Sequence, residues 1–237
     1  MKYIEKIIVA CCCLGVLIAC DDESEPLLFD ETTEDYQLYD YYIDQYGNEG
    51  IVAYIYEPKS SKSKRIMVIS SDESYQSWGP MGEAVYKNDT ITASTWNDPA
   101  YGMAMYQSMK SWGVEKFPAQ SWCDKKNMGE DTPKGSSWRL PSYWELGYIF
   151  NNYSELNKAL LSIGGTPLTE NHLYWSCTEY YDNYKIFSDN QYNIGYDKEN
   201  KAIPKSPSKT NYSDKDRWLK KNKYYVRAIK YVYFRTY

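Results

Sequence analysis

An α+β fold follows from three stretches of this 237-residue chain. Ser142-Tyr143-Trp144-Glu145 opens a helix with a capping box. GIVAYIYEP (50–58) and RIMVIS (65–70) are β-prone runs joined by a Ser/Lys turn. KYYVRAIKYVYF (223–234) is a β-prone closing strand. Helices set among such strands predict two main helices, short antiparallel sheets and long loops.

The elements divide at the N-terminus. Lys2 and Lys6 precede an apolar run from Ile7 to Ala19, the layout of a secretory signal. Leu17-Ile18-Ala19-Cys20 resembles a bacterial lipobox. Residues 1–19 are therefore expected to be a lipoprotein signal peptide, with lipidation at Cys20 anchoring the protein to the membrane. Residues 20–46 are acidic and poor in aliphatics, and predict a flexible tether. The acidic run after Cys20 resembles a surface-export signal, so an outer-membrane location facing the exterior is expected. An inner-membrane retention signal is the competing reading.

The folded domain is assigned to 47–237. Pro99 opens a short helix through Tyr106 and Met109. Pro118 sits as an N1 proline ahead of AQSWCDKKN, with Trp122 and Cys123 facing inward. Pro141 fixes the entry to the next helix. Leu146, Ile149, Phe150, Tyr153, Leu156, Leu160 and Leu161 then recur near helical spacing, predicting one helix of about twenty residues. Gly164, Gly165 and Pro167 stop it. LYWSCTEY (173–180) reads as a strand, KIFSD and QYNIGYD as short strands, and 197–222 as a long loop. Across the closing strand, Tyr225, Arg227 and Ile229 fall on one side and Val226, Ala228 and Lys230 on the other.

Composition narrows the chemistry. Net charge is −5, with no Lys or Arg between Asp21 and Glu57 and a basic stretch from Lys198 onward. An exported, net-acidic protein makes nucleic acid a poor partner, and the basic stretch reads as a solvated face. His172 is the single histidine, which excludes multi-histidine metal sites and leaves one imidazole, read as a loop residue. No CxxC pair exists, so neither a structural zinc site nor any other metal or cofactor is expected. After signal cleavage Cys123 and Cys177 remain, either as a disulfide or as two buried thiols.

Arg139 alternates with Trp138 and Leu140 and needs a buried partner, with Glu145 and Glu179 as candidates. Trp138, Arg139, Pro141, Ser142, Glu145, Trp175 and Arg227 are read as scaffold. Tyrosine, at 27 residues, far outnumbers phenylalanine at five, and rings with polar tips suit half-wet binding faces. The segment YYDNYKIFSDNQYNIGYD (180–197) concentrates them with Asn and Asp. Tyr180, Tyr181, Asp182, Asn183, Tyr184, Asn190 and Tyr192 are its candidate ligand residues, suited to glycan or protein surfaces.

FPAQSWC (117–123), SWRLPSYWEL (137–146), the GG pair, YWSCTEY (174–180) and YVRAIK (225–230) together resemble the C-terminal domain of the Legionella collagen-like adhesin (Lcl). Cys177 stands where that family usually has serine. The resemblance implies a C-type-lectin-like fold, shared with formylglycine-generating enzymes, and an adhesin-like role without catalysis. The formylglycine-type oxidases use a cysteine pair near the C-terminus, where this chain has none. Trp96-Asn97-Asp98 and Glu57-Pro58-Lys59 are similar to lectin calcium tripeptides but lie too early in the chain. The expected function is surface recognition, with an accessory subunit of a surface fibre or uptake complex as the alternative.

Overall fold

Two antiparallel-dominated sheets and four α-helices make the α+β architecture in the computed structural model, which describes residues 35–57, 63–80, 85, 99–127, 136–180, 201–205 and 218–235. The first sheet has strand order β1-β2-β3-β9 and the second β4-β8-β5-β6-β7. In chain order the strands are β1 (Tyr41–Ile43), β2 (Glu49–Tyr56), β3 (Ser63–Ser70), β4 (Ser74–Ser77), β5 (Tyr174–Tyr180), β6 (Lys201–Lys205), β7 (Trp218–Leu219), β8 (Lys223–Val226) and β9 (Ile229–Arg235). The helices are α1 (Pro99–Trp112), α2 (Pro118–Asp124), α3 (Tyr143–Asn151) and α4 (Tyr153–Ser162), with a 3-10 turn at Val114–Lys116.

The two β-prone runs pair antiparallel as expected, β2 with β3 from Gly50↔Ser70 to Tyr56↔Arg65, with an irregularity between Val52 and Tyr54. Its two faces build two cores. Val52, Ile66 and Val68 pack with Trp78, Met105, Phe117, Cys123, Trp138, Trp175 and Val226. Ile51, Met67 and Ile69 pack under α3 and α4 with Leu146, Ile149, Leu156 and Leu160. Alternate residues of one strand thus face opposite hydrophobic layers.

Four expectations are corrected. The boundary at 47 lies too late, because Tyr36 and Tyr42 are buried and β1 pairs with β2. Asp44 also accepts a hydrogen bond from Trp138 Nε1 at 2.8 Å, which ties the supposed tether into the core. The single helix after Ser142 is two helices, broken where Asn152 adopts φ −118° and ψ 15°. The closing strand is also two: β8 belongs to the second sheet and β9 to the first, and the chain changes sheets at Arg227-Ala228. Tyr225 and Ile229 still share one core while Val226 and Ala228 share the other. Finally, the predicted loop 197–222 contains β6 and β7.

The stop after α4 is a Schellman motif: Gly164 takes φ 73°, its N–H bonds Leu161 O at 3.1 Å, and Gly165 N–H bonds Leu160 O at 2.8 Å. Among the described residues no helix is long and apolar enough to cross a membrane. The signal peptide, Cys20 and residues up to 34 lie outside the described residues.

Candidate functional site

The WRLP stretch is the first fixed point. Ser142 caps α3, its Oγ accepting from Glu145 N–H at 3.2 Å, while Glu145 Oε2 accepts from Ser142 N–H at 2.6 Å. The same carboxylate receives Arg139 Nη1 at 2.8 Å and Nη2 at 2.6 Å, a bidentate pair with both side chains buried. Burial opposes the charge of Arg139, but Glu145 outweighs it and holds the guanidinium above its ordinary value. Of the two carboxylates expected for Arg139, Glu145 is the partner. Trp138 and Pro141 are buried beside it. Arg139 also bridges backbone to backbone with Ile229, at 2.9 Å in both directions, so the stretch is stitched to β9.

Glu179 has another task. One residue from the end of β5, it is buried and paired with the buried Lys220, and it accepts from Val85 N–H at 3.0 Å. The Lys220 ammonium lies 4.4 Å from the Trp78 ring centroid. Its carbonyl accepts from Trp78 N–H at 2.8 Å, and Trp78 Nε1 donates to Ser176 O at 2.8 Å. Burial lowers the pKa of Lys220 despite Glu179. This knot gathers the end of β5, the turn between β7 and β8, and the chain after β4. Sequence spacing could not find it, because its ion pair joins residues 41 positions apart.

Immediately beyond Glu179, the antiparallel register Tyr180↔Lys201 closes the base of the segment 181–200. Tyr180 therefore sits at the root of the predicted ligand segment. Tyr181, Asp182, Asn183, Tyr184, Asn190 and Tyr192 lie outside the described residues, as do the KIFSD and QYNIGYD strand expectations and Trp96-Asn97-Asp98.

The remaining scaffold residues are bound into the interior. Trp175 donates from Nε1 to Gln76 O at 2.9 Å. Arg227 donates to Ser70 O, Asp72 O, Thr166 O and Glu73 at 2.8–3.1 Å, and burial pulls its pKa down against Glu73. His172 stacks flat on Tyr225 with centroids 3.7 Å apart and 5° between planes, a packed ring rather than a solvated one. Cys123 and Cys177 are free, buried thiols, so the disulfide left open by the sequence is not formed. Burial pushes both thiols up, toward the protonated and unreactive form. Among the described residues no cluster of three or more His, Cys, Asp or Glu side chains could hold a metal ion.

A groove of about 650 Å³ runs beside β2, lined by Gln37, Leu38, Tyr39, Tyr54, Ile55 and Glu57. Tyr39 borders it with a left-handed φ of 74°, rare for an aromatic residue, and its N–H bonds Val52 O at 2.8 Å. Apolar ring faces and amide and carboxylate tips line this groove.

No known family profile matches the chain, and no curated protein matches it. Among solved structures, a fimbrial protein from Bacteroides ovatus is similar, with TM-score 0.43 and 16% identity over 69% of this chain. The chain spans 35% of that protein's length. A likeness at this level carries no argument about fold family or activity.

Proposed function

We propose that the protein is a lipid-anchored, outward-facing recognition protein of the outer membrane that binds glycan or protein ligands and catalyses no reaction. The observation that carries this reading is the braced base of the Tyr/Asn/Asp segment: the Tyr180↔Lys201 register and, one residue before it, the buried Glu179–Lys220 pair. Paired ends fix where the Tyr-, Asn- and Asp-rich segment leaves and rejoins the sheet. The interior charges of Arg139, Arg227 and Lys220 are each paired with a carboxylate, and both thiols are held protonated, which favours scaffold over catalysis. The C-type-lectin-like assignment belongs to the same proposal, supported by the SWRLPSYWEL stretch at the junction of α3 with β9.

The test is a broad glycan and cell-surface-protein panel probed with the mature chain from Cys20, with and without a calcium chelator. Chelator-resistant binding is expected, abolished when Tyr181, Asp182, Asn183 and Tyr184 are replaced together by Ser or Ala. Clean negatives on the panel, alongside a stable stoichiometric complex isolated from cells, would move the assignment to an accessory subunit.

A further inference from the structure

On the helix-bearing face of the first sheet, one guanidinium stands apart from the others. The registers Tyr56↔Arg65 and Arg65↔Tyr233 set three side chains in a row across β2, β3 and β9, with Tyr54, Met67 and Tyr231 in the next row. Arg65 Cζ lies 4.3 Å from the Tyr56 ring centroid and 5.6 Å from that of Tyr231, so the guanidinium is packed between aromatic faces. Arg139 and Arg227 each hold a carboxylate, but Arg65 makes no ion pair among the described residues. Its Nε is buried without a hydrogen-bond partner. The neighbouring Glu57 carboxylate is taken by Lys64, at 3.3 Å. Half-buried rings continue the surface: Tyr54 meets Tyr148 at 4.6 Å between centroids, and Tyr148 meets Trp144 at 4.2 Å.

We propose that this shelf is a binding site for a saccharide bearing a carboxylate, with Arg65 as its anion-reading residue. A planar fork of N–H donors matches a carboxylate in two parallel hydrogen bonds, and the rings around it exclude water and strengthen them. The exposed Tyr56 and half-buried Tyr233 offer flat faces to the C–H side of the sugar ring. Tyr54 also lines the groove that Gln37 and Glu57 border, so a chain of sugar units can run from the shelf into a space with further hydrogen-bonding groups. The inference rests on the recognition reading but places a ligand at residues separate from the 181–192 segment.

Binding is measured with the mature chain against uronate oligomers of galacturonate, glucuronate and mannuronate type, each beside its methyl ester. At least one acid should bind about tenfold or more tightly than its ester, since the ester loses the charge and one of the two equivalent acceptor oxygens. Arg65→Lys keeps the charge but loses the fork, and should weaken that binding about tenfold. Arg65→Met should weaken it about 10- to 100-fold. Acids binding no better than esters across the whole panel, or an Arg65→Lys protein binding like wild type, overturns the proposal. Arg65→Lys decides the matter if Arg65→Met does not fold. A carboxylate-terminated peptide competing as well as the best uronate overturns the saccharide assignment. Uronate binding that survives Arg65→Lys but is lost when Tyr181 and Tyr184 are replaced by Ser overturns the Arg65 site, moves the ligand to the 181–192 segment and leaves the recognition reading standing.

Discussion

Glu145→Gln tests the buried knot that joins the WRLP stretch to α3. The Glu145 carboxylate is fully buried and accepts three hydrogen bonds, two from Arg139 and one from Ser142 N–H, at 2.6–2.8 Å. Glutamine keeps the shape but has one oxygen, so its NH2 must face a donor on Arg139 or on Ser142. It also strands a guanidinium that is 1% exposed. Removing one partner of a buried pair costs about 3–5 kcal/mol, a large share of the roughly 5–15 kcal/mol that keeps a domain folded. The double variant Arg139→Met/Glu145→Leu removes both charges and should be more stable than Glu145→Gln, losing chiefly the return half of the capping box, about 1 kcal/mol. Urea unfolding followed by tryptophan fluorescence measures each value by linear extrapolation. A cost below about 1 kcal/mol for Glu145→Gln would refute the reasoning, as would no coupling between Arg139→Met and Glu145→Leu in a double-mutant cycle.

Three further outcomes are expected. Gly102→Ala, normally worth about 1 kcal/mol to a helix, should instead destabilise, because the new Cβ would lie 2.4 Å from Arg139 Nη1, which the bond to Glu145 keeps from moving; combined with Arg139→Met the same change should become neutral or stabilising. Asp44 is held below the ordinary 3.8: burial works against its charge, but hydrogen bonds from Trp138 and Asn48 and the Lys230 ammonium outweigh it. Its contribution is therefore complete above 3.8 and lost as pH falls through the lower folded value, and Asp44→Asn should flatten the acid limb of stability measured by urea melts from pH 2 to 6. Cys123 and Cys177 should resist a thiol reagent in the native protein and both react on unfolding, with rapid native labelling of either contradicting their burial.

What was legible in the sequence was local. The Ser142–Glu145 box, the Pro118 start and the Gly164-Gly165 stop each act within a few residues, and each formed where its chemistry placed it. The break at Asn152 was hidden because hydrophobic spacing continues through it; Asn152 instead answers to Tyr148 O and the Tyr39 hydroxyl, the latter a contact from 113 residues away. The early strand was masked by acidic composition and by its length, three residues with Tyr42 as the one buried side chain, while the buried Tyr36 lies before the turn at Leu38-Tyr39. The switch of sheets at Arg227 was unreadable, since alternation continues unbroken and only the hydrogen-bonding partners change. For the candidate site, composition singled out the polar-aromatic segment, but Lys220, Val85 and the shelf at Arg65 depend on pairings between distant strands.

The order of the first sheet has a consequence for biogenesis. Its interior strand β3 pairs with β2 on one side and with β9 on the other, and Ile69 meets Ile229 across a gap of 160 positions. The segment that fills that flank is β9, so β3 leaves the ribosome with an edge whose native partner has yet to be made. Non-local closure of this kind slows folding, and an open edge invites pairing between chains. Until β9 arrives, the nascent chain carries a β3 edge that can pair with other copies, so closure of this flank is the step at which aggregation competes with folding.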